Sequence, residues 1–276
     1  MNEVNDMRRN WTGVYVGFVL VSLIWRSITH NWLHQLLPVS FAETINLNIW
    51  VMRWSGWIEF LVSHRSACIA FDILFYAANM LLPLLALRKN INALIILLLV
   101  LNWVAVDTYA TAGINSQESL ITYYFVPLIF LQARTAQWLI IPLFLRLLFL
   151  WFFCSTGFWK LFRGSLFSID QMSTIFLQQH KDLLALAPQA LMSRVYWWFI
   201  QHKAISQSLF IIVSLAEMSF VLGFFSFRFD RLFFWLYCLF ILLDLFFMRI
   251  LFWETIPFAM VLLYSSQVKA GLKSAH

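Results

Sequence analysis

Five charged side chains stand inside stretches of the sequence that are otherwise apolar. They are Arg146, Lys160, Glu217, Asp244 and Glu254. Placing one such charge in the apolar interior of a bilayer costs about 2.5–3.5 kcal/mol on insertion scales, so each should have a partner or a function. Arg146 and Glu217 lie near the middle of two consecutive apolar stretches. We predict that they form a buried ion pair, which either fixes the register of two helices or faces a bound polar molecule.

Lys160 is the second cation of the same stretch. It lies fourteen residues after Arg146, which returns it to nearly the same face of a helix with about 3.6 residues per turn. Its candidate partners near the boundary of the membrane are Glu254, Asp72 and Asp244. A lysine that extends its side chain to the headgroup layer needs no chemical role. A lysine that is kept away from water is instead a candidate catalytic base.

His30 and His34 are spaced i, i+4, which would place both rings on one face of a helix. Two such rings can ligate a metal or a haem. No other cluster of His or Cys completes a site, because Cys68, Cys154 and Cys238 stand far apart without a C-x-x-C pair. We therefore predict no metal site and interpret the histidines as interfacial residues.

The composition indicates the class of protein. Of the 276 residues, 62% are apolar, 18% are aromatic and 12% are charged, with a mean hydropathy of +0.78. Soluble domains carry about 25% charged residues. A chain of this size cannot hide so much apolar surface from water, so we predict an all-α, polytopic integral membrane helix bundle. The net charge of +6 includes no long basic run, which argues against a nucleic-acid partner and leaves membrane lipid.

About eight transmembrane helices, with seven as the alternative count, are predicted within a single transmembrane domain covering residues 1–276. Their approximate ranges are 11–26, 68–87, 91–106, 120–131, 138–158, 207–225, 232–248 and 250–264. The shorter ranges would need flanking residues or a locally thinner bilayer to cross.

Two stretches between the spans, about 38–66 and 165–206, are predicted to form interfacial amphipathic helices. In the first, Trp50, Trp54 and Trp57 recur at helical spacing, which is typical of a helix in the headgroup layer. In the second, a helix is predicted from Ser168 until Pro188 stops it.

Basic residues near the ends of spans indicate the orientation. With the N-terminus in the cytoplasm, most basic residues of the short loops, Arg88 and Lys89 among them, fall on the cytoplasmic side. The acidic loop at 107–118 and both amphipathic stretches then fall outside. We therefore predict a multi-pass protein of a bacterial inner (cytoplasmic) membrane with both termini in the cytoplasm.

Residues 155–164, Ser-Thr-Gly-Phe-Trp-Lys-Leu-Phe-Arg-Gly, resemble the membrane module shared by vitamin-K-dependent gamma-carboxylases and bacterial HTTM proteins. In that family a span ends in a small-Gly-x-x-Lys-Leu signature. Glu217 with the following Phe-Val-Leu-Gly, and the basic turn at 228–231, are similar to the next part of the family pattern. The resemblance covers about residues 72–264, and the DoxX-type membrane family offers a comparable Gly-x-x-Lys-Leu ending.

The resemblance implies that Lys160 occupies the position of the base that deprotonates reduced vitamin K. It also implies a quinone or vitamin K-like molecule as cofactor. Asp244 stands where the family would have a histidine, and the sequence shows no large extracytoplasmic domain to hold a peptide substrate.

Two functional hypotheses follow from the sequence. In the first, the protein is a gamma-carboxylase-like membrane protein that binds a quinone or a lipid-like molecule in a polar pocket near Lys160, Glu217 and Arg146, with or without acid–base chemistry. In the second, it is a non-enzymatic accessory subunit of a larger membrane protein complex. A transporter is less favoured, because no pair of half-helices broken by Gly or Pro is visible.

Overall fold

The computed structural model describes residues 2–36, 47–111, 120–132 and 135–274, and these residues form helices without any strand. The α-helices are α1 (Asn2–Thr29), α2 (Leu33–Leu36), α3 (Leu47–Trp54), α4 (Trp57–Ser63), α5 (Arg65–Ala86), α6 (Asn92–Thr111), α7 (Ile121–Phe125), α8 (Thr135–Phe162), α9 (Gln171–Leu186), α10 (Leu191–Gln201), α11 (Lys203–Ser219), α12 (Leu222–Phe225), α13 (Asp230–Met248), α14 (Ile256–Ala259) and α15 (Val261–Ser274). The all-α fold is confirmed for this part of the chain.

Six helical segments of the described chain are long and apolar enough to cross a membrane. They are Asp6–Leu36, Arg65–Ala86, Asn92–Thr111, Gln137–Phe162, Lys203–Phe225 and Phe227–Met248. They correspond to predicted spans one, two, three, five, six and seven, as expected of a multi-pass membrane protein. The count of eight spans is not confirmed.

The predicted fourth and eighth spans take a different form. The fourth consists of α7 followed by the 3₁₀-helix Val126–Phe130. At about 1.5–2 Å per residue, these ten residues extend roughly 15–20 Å, short of a hydrocarbon layer about 30 Å thick. The eighth is divided into the 3₁₀-helix Trp253–Thr255, α14 and the start of α15. Hydropathy is high in both regions, but neither contains one continuous helix of spanning length.

The chain divides into two compact units. Unit 1 contains Met1–Leu145, Trp253–Val261 and Gln267–His276, and unit 2 contains Arg146–Phe252 and Leu262–Ser266. In unit 1, α1 packs on α5, α5 on α6 and α6 on α7.

Buried polar side chains join these four helices of unit 1. The Tyr15 hydroxyl donates a hydrogen bond to Asn79 Oδ1. Asn79 Nδ2 donates to Asn102 Oδ1 at 2.7 Å, and Asn102 Nδ2 donates to the Tyr123 carbonyl at 2.9 Å. Inside a bilayer water cannot compete for these groups, so they fix the register of the helices.

In unit 2, α9 and α10 form a helical hairpin that packs on α11, and α9 also contacts α13. The helix predicted from Ser168 begins at Gln171 and ends at Leu186. A buried cluster holds the hairpin in place. Its members are Leu166, Met172, Phe176, Leu184, Tyr196 and Phe210.

Two local predictions in unit 1 were wrong. The tryptophans at 50, 54 and 57 do not share one helix, because α3 ends at Trp54 and α4 begins at Trp57. Between them Gly56 has φ 72°, a left-handed conformation that glycine adopts without strain. Trp50 and Trp54 stack with their ring centroids 5.9 Å apart. Residues 37–46, which include the start of the predicted stretch at 38–66, lie outside the described residues.

His30 and His34 do not share a helix face either. Helix α1 ends at Thr29, and His30 has φ 54°, so the chain turns before α2. The predicted loop at 107–118 begins later than expected, since α6 continues to Thr111. Residues 112–119 lie outside the described part of the chain.

Candidate functional site

Lys160 and Glu217 form an ion pair in unit 2. Lys160 lies in the last turn of α8 and Glu217 lies near the end of α11. Lys160 Nζ donates hydrogen bonds to both carboxylate oxygens of Glu217 at 2.7 Å. The Glu217 side chain is buried and that of Lys160 is 27% exposed. Two charge-assisted bonds of this length form a strong contact between the two helices.

Gly157, one turn before Lys160, allows this approach. A Cβ atom at this position would lie 2.8 Å from the Ser214 carbonyl oxygen and 2.9 Å from the Met218 nitrogen. Both atoms belong to the backbone of α11, so they cannot move aside as a side chain can. The absence of a Cβ therefore sets the closeness of α8 to α11 and brings Lys160 within reach of Glu217.

Lys160 and Asp244 line a recess of about 490 Å³, counting the part that is open to the surroundings. The remaining lining is apolar and lies mainly on α11 and α13. It consists of Met172, Leu209, Phe210, Val213, Phe240, Leu243, Phe247 and Met248. Asp244 lies one turn before the end of α13. The recess thus has two charged groups in an aromatic and aliphatic wall.

A second groove continues from the recess along the same two helices. Its volume is about 470 Å³, again counting the part that is open to the surroundings, and it shares Val213, Phe240 and Leu243 with the recess. Its other lining residues are Phe153, Ile212, Ala216, Glu217, Phe220, Leu236 and Leu239. Except for Glu217, which is bonded to Lys160, this lining is apolar. The two cavities together offer a charged end and an apolar extension.

The α9–α10 hairpin caps the end of α13 that forms one wall of the recess. The last carbonyls of a helix have no partner within the helix. Here three side chains of the hairpin donate hydrogen bonds to these carbonyls. His180 Nε2 donates to the Phe247 carbonyl at 2.6 Å, and the Tyr196 hydroxyl donates to the Phe246 carbonyl at 2.9 Å. Gln179 Nε2 donates to the Met248 carbonyl at 3.1 Å.

The His180 ring stacks on the Tyr196 ring with centroids 3.7 Å apart. Burial lowers the pKa of His180 below its ordinary value, so the ring is neutral at pH 7. Its bond to the Phe247 carbonyl assigns the proton to Nε2. The hairpin thereby holds Phe247 in position as a wall of the recess.

The predicted pair of Arg146 with Glu217 is corrected by the structure. Arg146 pairs with Asp230: its Nε and one Nη each donate to a different carboxylate oxygen at 2.7 Å. The same Nη donates to the Gly223 carbonyl at 2.6 Å, and the guanidinium lies 4.0 Å from the centroid of the Phe227 ring. Arg146 is 2% exposed and Asp230 is 1% exposed. Arg146 is therefore a structural residue, and it is not among the residues that line the recess.

Glu254 and Asp72, which the sequence offered as partners for Lys160, are engaged within unit 1. Arg26 lies 3.6 Å from the Glu254 carboxylate, and its guanidinium lies 4.3 Å from the Tyr109 ring centroid. The Tyr109 hydroxyl donates to Asp72, and His34 Nδ1 is 3.5 Å from the same carboxylate. Of the five charged residues singled out in the sequence, the structure thus brings Lys160, Glu217 and Asp244 together.

Sequence reasoning missed two partners and the aromatic wall. The predicted spans leave Asp230 in a loop and end the first span at Arg26, with no partner named for either residue. Both adjoin long apolar stretches, which could have marked them as further charges that need pairing. The phenylalanines of the recess carry no sequence signal, because 29 of the 276 residues are Phe.

No group of three or more His, Cys, Asp or Glu side chains within the described residues is arranged to hold a metal ion. In comparisons with known proteins, the chain matches no family model, no curated protein and no solved structure. The recess and its groove are therefore the features of this chain that indicate a function.

Proposed function

We propose that the protein binds an amphiphilic molecule, a quinone or a lipid-like compound, in the recess and groove of unit 2. The observation that carries this proposal is their continuity: a recess with Lys160 and Asp244 adjoins an apolar groove through three shared residues. A polar head beside the charged groups and a chain along the groove match this distribution of polarity.

The proposal includes a condition for chemistry at Lys160. Under the resemblance to the gamma-carboxylase and HTTM module, Lys160 acts as a base toward a quinol hydroxyl. An ammonium cannot accept a proton. Lys160 must therefore first pass one proton from Nζ to an oxygen of Glu217, to which it is bonded at 2.7 Å. The neutral amine can then take the hydroxyl proton. On this view Glu217 is the proton acceptor that makes the lysine a base.

The binding proposal is tested by blocking the groove. Val213 lines both cavities, and Ile205 lies on the same helix outside their linings. We expect protein purified from its native membrane in mild detergent to carry about one amphiphile per chain by native mass spectrometry. Val213→Trp should remove it, and Ile205→Trp should retain it. The absence of any stoichiometric amphiphile from the wild type, or equal retention by both variants, would contradict the proposal.

The alternative, an accessory subunit of a larger membrane complex, is favoured by one surface in unit 1. The stacked Trp50 and Trp54 side chains are 59% and 77% exposed. Tryptophan is enriched both at protein interfaces and in the headgroup layer. If this pair contacts a partner subunit, Trp50→Ala with Trp54→Ala should lower the native mass of the complex on a blue native gel. Trp235→Ala, which removes an exposed tryptophan of unit 2, should not.

We further propose that both termini lie on the cytoplasmic side of a bacterial inner membrane. An even number of crossings returns the chain to its starting side, and a cytoplasmic N-terminus puts Arg88 and Lys89 in the cytoplasm. Six crossings also place the α9–α10 hairpin there, whereas an extracytoplasmic hairpin needs eight. Gln178 is exposed on that hairpin. We expect Gln178→Cys to react with an impermeant thiol reagent only from the cytoplasmic side, and labelling from outside would contradict six crossings that start from a cytoplasmic N-terminus.

A further inference from the structure

The charged end of the recess contains one carboxyl group, that of Asp244, to which no cation of the described residues is bonded. The ammonium of Lys160 is bonded to both oxygens of Glu217, so these two charges cancel. Asp244 lines the same recess, and none of the described residues bonds to its carboxylate or lies within ion-pairing distance of it. A carboxylate in an apolar wall without a partner is costly. It is therefore a group that a bound cation would stabilise.

The walls around Asp244 favour the same kind of ligand. Phe210, Phe240 and Phe247 belong to the lining of the recess. Ring faces attract cations, and several rings together recognise quaternary ammonium groups. The structure already contains one such contact, because Lys160 Nζ lies 5.4 Å from the centroid of the Phe210 ring. The two methionines of the wall add polarizable surface that packs well against methyl groups.

We propose that the recess binds the ammonium end of a cationic amphiphile, a trimethylammonium group or a protonated amine on a long alkyl chain. Asp244 faces the cation, the phenylalanine rings surround it, and the alkyl chain follows the groove past Ile212 and Leu239. This inference rests on the proposed amphiphile site and names the class of its ligand. A phosphate or carboxylate head in the same place would face the Asp244 carboxylate and be repelled.

The test uses two photoreactive probes with the same diazirine-bearing alkyl chain, one ending in trimethylammonium and the other in a hydroxyl group. The full-length protein is kept in an uncharged maltoside detergent, and the labelled peptides are mapped by mass spectrometry. We expect the ammonium probe to label the peptides of α11 and α13 at a concentration about tenfold lower than the hydroxyl probe.

Three variants assign that preference to particular groups. Asp244→Asn should remove it and leave labelling by the hydroxyl probe unchanged. Phe240→Leu, which keeps an apolar wall without the ring, should lower it several-fold. Asp182→Asn removes an exposed carboxylate of the neighbouring α9 and should change nothing. If Asp244→Asn does not fold, the comparison of probes on the wild type and the Phe240→Leu variant still decides the matter.

The outcomes separate this inference from the proposed function. Equal labelling by both probes, insensitive to Asp244→Asn, overturns the cationic ligand and leaves an amphiphile site. Stronger labelling by an otherwise identical sulfate-ended probe than by the ammonium probe also overturns the cationic ligand and leaves an amphiphile site. If no probe labels α11 or α13, the amphiphile site itself is refuted.

Discussion

Replacing Asp230 with alanine should destabilise unit 2 more than any other single loss of a carboxylate there. The Arg146 side chain is 2% exposed in the wild-type protein, and the change removes the anion to which its guanidinium is bonded. Removing one partner of a buried pair costs about 3–5 kcal/mol, because the remaining charge stays buried. The Gly223 and Ser226 carbonyls still accept hydrogen bonds from Arg146. We therefore expect the lower end of this range, about 3 kcal/mol, which raises the unfolding equilibrium constant roughly 100-fold.

A second ion pair of unit 2 provides the matched control. Lys203 Nζ lies 2.6 Å from the Asp170 carboxylate, but both side chains are 55% exposed. Exposed pairs contribute about 0–1 kcal/mol, because water solvates the separated charges. Asp170→Ala removes the same chemical group as Asp230→Ala from a contact of similar length. The difference between the two variants therefore measures the effect of burial.

The assay is unfolding in detergent, followed by tryptophan fluorescence during a titration with sodium dodecyl sulfate. A third variant, Arg146→Met with Asp230→Leu, removes both charges. It should be less destabilised than Asp230→Ala, because no unpaired charge remains. The reasoning is refuted if Asp230→Ala costs no more than Asp170→Ala, or if removing Arg146 as well does not relieve the loss.

Three further predictions concern packing, pH and unit 1. Gly157→Ala should lower the free energy of unfolding by about 1–3 kcal/mol in the same titration, because the added Cβ meets the backbone of α11. Gly17→Ala, which has open space around its added Cβ, should lower it by less than about 0.5 kcal/mol. The pKa of His180 is lower in the folded protein than in the unfolded chain, where it is about 6.5. The contribution of the neutral ring to stability is therefore complete above about pH 6.5 and is lost as the pH falls below that value. Wild-type protein should lose more thermal stability between about pH 7.5 and 5.5 than His180→Gln, and equal losses would contradict this. Asn102→Leu should destabilise unit 1 by about 0.6–2 kcal/mol, seen as an earlier thermal midpoint, because its bonds to neighbouring helices are lost.

The sequence was sufficient to identify which charges need an explanation, but it did not pair them correctly. The distance of each residue from the ends of its apolar stretch predicts that Arg146 and Glu217 lie at the same depth in the membrane. In the structure the register of α8 against α11 is set by Gly157, whose surroundings are Ser214 and Met218. That contact brings Glu217 level with Lys160. Counting residues along single helices cannot reveal this, because register depends on the side chains of both helices.

The spans were predicted well wherever one apolar run forms one helix, and poorly where the backbone changes direction inside such a run. Gly56 and His30 both have positive φ, and each ends a helix that periodicity alone would continue. Residues 126–130 form a 3₁₀-helix instead of α-helix, which shortens the fourth predicted span. Hydropathy measures how strongly a stretch avoids water, and it does not indicate where the helix within that stretch ends or changes its type.

Asp244 differs from the other carboxylates discussed above in having no bonded partner among the described residues. Asp230 and Glu217 each accept two hydrogen bonds from a cationic side chain of unit 2. In unit 1, Asp72 accepts a hydrogen bond from a tyrosine and Glu254 lies beside an arginine. A buried carboxylate that is engaged in this way is explained by the fold. Asp244 is half-buried and lines a cavity instead, and a group whose partial burial the fold does not compensate is most simply explained by a ligand that does.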